Sequence, residues 1–256
     1  MKRRIAIILG AGYGTRMYPF TKDTPKPLLY VGEKPVLDYI MDELDTLPKL
    51  EDIFIVSNAK FYDNYVRWKN NRKPKIKEIH LLNDGSMTND DRLGAAGDLH
   101  FAFREAGEFT DALVVGGDNV FLFPIKPIWE AFIKGDVHRI AALQDKNRER
   151  LRRTGVLEIS KTGKLIRLHE KPTDPPTNYF SPPLYFFKST AKEHLSDYMG
   201  SKVARDASGR FVDYLCQKET VRAVKLERGR LDIGNMESFK KADQLLSQGE
   251  KKDLLK

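Results

Sequence analysis

Residues 5–9, IAIIL, form an unbroken apolar run, and Gly10, Gly12 and Gly14 follow at once. Such a run has no polar face, so a strand made from it must be covered on both sides. Runs of the same kind stand at 53–56 and 112–115. Between them the period changes. Val36, Leu37, Ile40, Met41, Leu44 and Leu47 recur at spacings of three and four, which marks a helix with one apolar stripe. Further helices are expected over 62–70 and 95–106, and a further strand over 76–82. Strands that alternate with helices make βαβ units and a parallel sheet. The fold class expected is therefore α/β: a Rossmann-like, three-layer fold with a mainly parallel central sheet.

The second half changes character. Residues 155–159 and 164–169 flank Ser160-Lys161-Thr162-Gly163, a plausible hairpin turn. Strands are expected over 184–187 and 221–226, and a helix over 189–199. A closing helix is expected over 236–247, with Phe239, Ala242, Leu245 and Leu246 on one face. That face can pack internally or against another copy, so a homo-oligomer stays open. No linker or repeat divides the chain. The expectation is one domain over 1–256, with β-rich insertions after about residue 145 and a helix and tail over 236–256.

Composition narrows the function. The chain has 256 residues, of which 41% are hydrophobic and 31% charged. No apolar stretch approaches the roughly 18 residues of a membrane span. The apolar part of MKRRIAIILGAG is too short for a signal peptide. The one cysteine, Cys216, excludes an internal disulfide and suits a reducing cytoplasm. The net charge of +8 comes from basic residues interspersed with acids. That pattern favours a small anionic ligand over nucleic acid.

The run LGAGYGTRMYPFTKDTPKPLL, residues 9–29, carries the chemistry. Glycines let a ligand approach the backbone closely, and backbone N–H groups in such a turn cradle phosphates. Arg16 and Lys26 add the charge a polyphosphate requires. Two familiar phosphate motifs do not fit. A P-loop needs four residues between its glycines and then Lys-Ser/Thr. The dinucleotide fingerprint needs G-x-G-x-x-G, whereas Gly10, Gly12 and Gly14 give G-x-G-x-G.

A third pattern fits. Leu9-Gly10-Ala11-Gly12-Tyr13-Gly14-Thr15-Arg16, then Pro19, then Pro25-Lys26-Pro27-Leu28-Leu29, closely resembles the signature of the sugar-1-phosphate nucleotidyltransferases. The resemblance continues at four stations and spans roughly residues 4–240. Leu93-Gly94-Ala95-Ala96-Gly97 resembles the family's second glycine loop, which borders base and ribose. Asp118, in Val114-Val115-Gly116-Gly117-Asp118, matches the acid that binds the catalytic magnesium. Glu170-Lys171-Pro172, followed by Asn178, resembles the segment whose glutamate holds sugar hydroxyls and whose lysine pairs with the sugar phosphate. Gly155 matches a position lining the sugar pocket. Asp232, in Leu231-Asp232-Ile233-Gly234, would be the second carboxylate on the metal.

The resemblance implies Mg²⁺ as cofactor, a nucleoside triphosphate and a sugar-1-phosphate as substrates, and pyrophosphate as product. It implies Leu9, Gly10, Ala11, Gly12, Gly14, Thr15 and Gly94 on the nucleotide. Arg16, Lys26 and Asp118 are the implied catalytic residues. Gly155, Glu170, Lys171 and Asn178 are implied on the sugar phosphate. The chain departs from the family at Pro182-Pro183, beside the sugar, and at Ala95, where the family commonly has threonine. It also lacks the glutamine that reads the base in the thymidylyl branch; Asn83-Asp84-Gly85 stands there. Glucose-1-phosphate with dTTP or UTP is the first expectation. A cytidylyltransferase for a sugar or polyol phosphate, a mannose-1-phosphate guanylyltransferase and a non-catalytic nucleotide-binding regulatory subunit are the alternatives. A metal-dependent glycosyltransferase would give no reason for Arg16 and Lys26.

Overall fold

The computed structural model describes residues 3–72, 77–201, 204–227 and 229–248. In chain order the strands and helices are β1 (Arg4–Leu9), β2 (Tyr30–Val31), β3 (Lys34–Pro35), α1 (Val36–Asp45), β4 (Asp52–Ser57), α2 (Tyr62–Asn71), β5 (Glu78–Asn83), α3 (Gly94–Ala106), β6 (Asp111–Gly116), β7 (Asn119–Phe121), α4 (Lys126–Lys134) and β8 (His138–Gln144). There follow α5 (Arg148–Leu151), β9 (Gly155–Ile159), β10 (Leu165–Glu170), β11 (Tyr179–Ser181), β12 (Leu184–Lys188), α6 (Ala191–Gly200), α7 (Ser208–Cys216), β13 (Val221–Lys225), β14 (Arg230–Asp232) and α8 (Met236–Ser247).

One large sheet runs β10-β9-β11-β8-β12-β6-β1-β4-β5, with β13 beside β8. Strands β6, β1, β4 and β5 are parallel. From β12 outward the order turns antiparallel, through β8, β11, β9 and β10, while β13 lies parallel to β8. The chain moves outward from β1 to β4 and β5, then crosses back to place β6 on the other flank of β1. The strand order therefore reverses between β1 and β6. Open α/β sheets bind ligands at this kind of crevice, beyond the carboxyl ends of the strands.

The alternation of β1 shows why the sheet is covered twice. Ile5 and Ile7 pack with Leu99, Ala102 and Phe103 of α3. Ala6 and Ile8 pack on the opposite face with Leu37 and Ile40 of α1 and Trp129 of α4. Two smaller pairings complete the fold. β7 pairs with β14, and β2 pairs with β3. A third core joins Val31, Val36, Val120 and Ile233 to Ala242 and Leu246 of α8, so the closing helix packs on its own chain.

The expected elements appear, with shifted ends. The strand expected over 76–82 is observed from Glu78, and Ile76 lies outside the described residues, as does the tail beyond Gln248. The hairpin at 160–163 is present, with Ser160 N–H donating to the Lys164 carbonyl at 2.8 Å. Several elements carry no expectation. β7, β11 and β14 have three residues each, too few for a period. α4 has Pro127 in its first turn, and α7 opens Ser208-Gly209. Pro and Gly read as breakers in sequence, yet here they start helices, where a missing N–H or Cβ costs least.

Candidate active site

The glycine loop leaves the end of β1 and is fixed from beneath. Gly10 N–H donates to the Val56 carbonyl at 2.9 Å. The Gly10 and Ala11 carbonyls accept from Tyr65 Oη at 2.9 Å and Asn58 Nδ2 at 2.7 Å. Gly14 has φ 63°, a conformation that favours glycine. A Cβ there would stand 3.1 Å from Lys26 Cγ. So the loop turns left-handed where the lysine stem must pass. Among the described residues, no protein acceptor meets the N–H groups of residues 11–16. Unpaired N–H groups in a turn of this kind are what an anion-binding nest uses. Arg16, on the short 3-10 turn Thr15–Met17, lines the adjoining cleft.

Lys26 is 9% exposed. Its Nζ lies 3.6 Å from Asp118 Oδ2. Asp118 ends the turn after β6, and the β7–β14 ribbon brings Asp232 beside it. Asp232 stands opposite Asn119 in the ladder, and Ile233 N–H donates to the Asp118 carbonyl at 2.9 Å. Asn119 Nδ2 donates to Asp118 Oδ1 at 3.0 Å. Arg230 Nη1 donates to Asp232 Oδ1 at 2.7 Å and to Asn119 Oδ1. Among the described residues Asp232 Oδ2 meets no hydrogen-bond donor, whereas Asp118 Oδ2 faces the Lys26 ammonium at 3.6 Å, beyond hydrogen-bond distance. Two carboxylates whose cationic neighbours offset their repulsion fit a hard cation completed by phosphate oxygens. Among the described residues a three-ligand cluster exists elsewhere, Asp52, Glu78 and His80. Asp52 and Glu78 begin β4 and β5, at the far end from the glycine loop. Asp52 is already paired with Arg3 at 2.8 Å and His80 at 2.9 Å.

The antiparallel half supplies the other wall. Glu170 ends β10 directly across from Gly155 of β9. Burial raises its carboxyl above the usual range. Lys171 follows at φ 50°, a left-handed conformation that costs a non-glycine residue of order 1 kcal/mol or more and is typical of functional positions. Its N–H donates to the Thr154 carbonyl at 2.9 Å, and Nζ lies 3.9 Å from Glu170 Oε1. Pro183 lines the same cleft, and its carbonyl accepts from Gly116 N–H at 2.8 Å.

Arg16, Asp118, Gly155, Glu170, Lys171 and Asp232 thus line one cleft of about 1130 Å³, with Lys26 behind Asp118. Gly94 opens α3, whose Ala95 lines the cleft. Ala95 and Ala96 donate to the Asp206 and Arg205 carbonyls at 3.3 and 3.2 Å. Leu9 turns its carbonyl to Gly117 N–H at 2.9 Å. Asn178 is exposed and stands outside this lining; its carbonyl accepts from Asp145 N–H at 3.0 Å. Sequence reasoning missed Arg230 and Asn119. Their signal was adjacency: one follows Asp118, the other precedes Asp232 by two.

A buried carboxyl pair lies behind the loop. Tyr13 Oη donates to Ser86 Oγ at 3.1 Å, and Ser86 donates to Asp84 Oδ1 from both N and Oγ at 2.7 Å. Asp84 Oδ2 and Asp98 Oδ1 are buried with no donor. Burial, reinforced by Asp84, pushes the Asp98 carboxyl up to about 8. Two such acceptors side by side hold a shared proton.

The chain is similar to known proteins along most of its length. The nucleotidyl transferase family description matches residues 5–249. The UTP–glucose-1-phosphate uridylyltransferase AglF of Haloferax volcanii is 24% identical, over 95% of this chain and 96% of its own. The bifunctional protein GlmU of Methanococcus aeolicus is 28% identical over 90% of this chain, which spans about half (51%) of that relative. A solved UDP-glucose pyrophosphorylase with UDP-glucose superposes with a TM-score of 0.81 at 18% identity, covering 97% of this chain and 100% of its own, a likeness of fold. No described helix is long and apolar enough to cross a membrane. From the glycine loop to the late aspartate, the chain belongs to the sugar-1-phosphate nucleotidyltransferases of the nucleotidyl transferase family.

Proposed function

We propose that the protein joins a sugar-1-phosphate to a nucleoside triphosphate and releases pyrophosphate, with glucose-1-phosphate and dTTP or UTP as substrates. The observation that carries this reading is the convergence of Arg16, Lys171, Asp118 and Asp232 on one cleft, with Lys26 ion-paired to Asp118. A phosphate monoester is already an anionic nucleophile, so its oxygen attacks the α-phosphorus without a strong base. The work is to bring two anions together and offset the charge gathered around phosphorus, which positioning and electrostatics supply.

The free N–H groups of the glycine loop and Arg16 hold the triphosphate and the leaving pyrophosphate. Lys26 acts on the α-phosphate. Lys171 holds the incoming sugar phosphate, and Glu170 holds sugar hydroxyls. Asp118 and Asp232 would hold Mg²⁺, which supplies charge neutralisation at phosphate oxygens. The test is pyrophosphate release with Mg²⁺ over a grid of nucleoside triphosphates against sugar-1-phosphates and inositol phosphate. One strong cell names both substrates. Activity in a CTP or GTP cell instead moves the reading to a cytidylyl- or guanylyltransferase. A blank grid with nucleotide still bound makes the chain a regulatory subunit.

A further inference from the structure

Arg230 is a cation placed where a metal-binding pair of acids gains nothing from it by charge alone. Its side chain is 12% exposed. One nitrogen, Nη1, serves both Asp232 Oδ1 and Asn119 Oδ1. Asn119 is fully buried, and its Nδ2 carries the link to Asp118 Oδ1 at 3.0 Å and to the Gly116 carbonyl at 3.3 Å. One guanidinium therefore sets the rotation of both carboxylates, directly at Asp232 and through an amide at Asp118. Arg230 Nε is buried without a partner, which is unfavourable for such a group. The ring of Phe180 lies 5.8 Å from the guanidinium carbon and holds it in place. A Cβ at Gly234 would stand 2.6 Å from Asp232 Oδ2, so a bare Cα leaves room for that second oxygen.

We infer that Arg230 is a positioning residue that holds Asp118 and Asp232 at the orientation a divalent cation requires, with Asp232 Oδ2 and the Asp118 oxygen that faces Lys26 turned to the ion. The inference rests on the metal-assisted reading of the cleft given above. Groups that orient the ligands of a metal typically change affinity by 10–100-fold when removed. Mn²⁺ alone is titrated into the protein and followed by loss of the free-ion EPR signal. Arg230→Met should weaken Mn²⁺ binding by roughly 10–100-fold. Arg230→Lys keeps the charge but shortens the reach to Asp232 and Asn119, and should fall between. In turnover the loss should appear in the Mg²⁺ concentration required, with kcat recovered at saturating Mg²⁺.

Circular dichroism checks that each variant is folded; should the Met variant unfold, the Lys variant decides. Unchanged or tighter Mn²⁺ binding in a folded variant overturns the positioning role while leaving the reaction intact. A wild-type protein that binds no Mn²⁺ and releases no pyrophosphate overturns both.

Discussion

Lys26 carries its charge at 9% exposure and 3.6 Å from Asp118. Asp118 is its partner in the fold, and a substrate phosphate would be a second one. Removing one preorganised donor of this kind costs roughly 10²–10³ in turnover. Lys26→Ala and Arg16→Ala should each lose that much; a drop below about threefold in steady-state assays of both refutes their roles. Asp118→Asn should abolish metal-dependent turnover with the melting temperature nearly kept, and retained activity excludes Asp118 as a ligand. Asp98 gives a prediction in pH. An unfolded carboxyl loses its proton near 3.8, whereas Asp98 in the fold holds it to about 8. Between these values the native state binds more protons, so stability falls as pH rises and levels off above about 8. Asp98→Asn removes that slope. Melts at pH 5 and pH 8.5 should show the variant gaining on the wild type at the higher pH; parallel curves would exclude the buried shared proton.

At the scale of elements, α3 is anchored on one side of the alternating strands and α1 and α4 on the other. Trp129 of α4 is fully buried, and its Nε1 donates to the Pro48 carbonyl at 2.8 Å. Trp129→Ala should cost about 3–5 kcal/mol, read as a lower urea midpoint; under about 1 kcal/mol would mean that α4 contributes little. α4 was not legible beforehand, since its apolar positions Ile128, Trp129 and Phe132 follow a proline. α1 was legible, because Val36, Leu37, Ile40, Met41 and Leu44 keep the helical spacing and are buried. The β7–β14 ribbon was illegible for another reason. Its strands lie more than a hundred residues apart, and pairing rather than period defines them.

At the scale of the whole molecule, the cleft lies between two kinds of sheet. The parallel half brings the glycine loop, Arg16 and Asp118; the antiparallel half brings Gly155, Glu170 and Lys171. Ligand binding should therefore stabilise the whole chain. A nucleoside triphosphate with Mg²⁺ at about 100 times its Kd contributes about 2.7 kcal/mol, a rise in Tm of roughly 5–10 °C for a chain of this size. No rise with any of five nucleoside triphosphates would overturn nucleotide binding. The strands β1, β4 and β6, the glycine loop and the order of the charged stations were determined by the sequence alone, because apolar period and turn chemistry are local. The company that Asp118 keeps was decided only by the tertiary structure. Lys26 reaches it directly, Asp232 and Arg230 approach it through Asn119 and the β7–β14 register, and the pairing of Asp84 with Asp98 was likewise decided by the fold. Those contacts join positions far apart in the chain, and no local pattern encodes them.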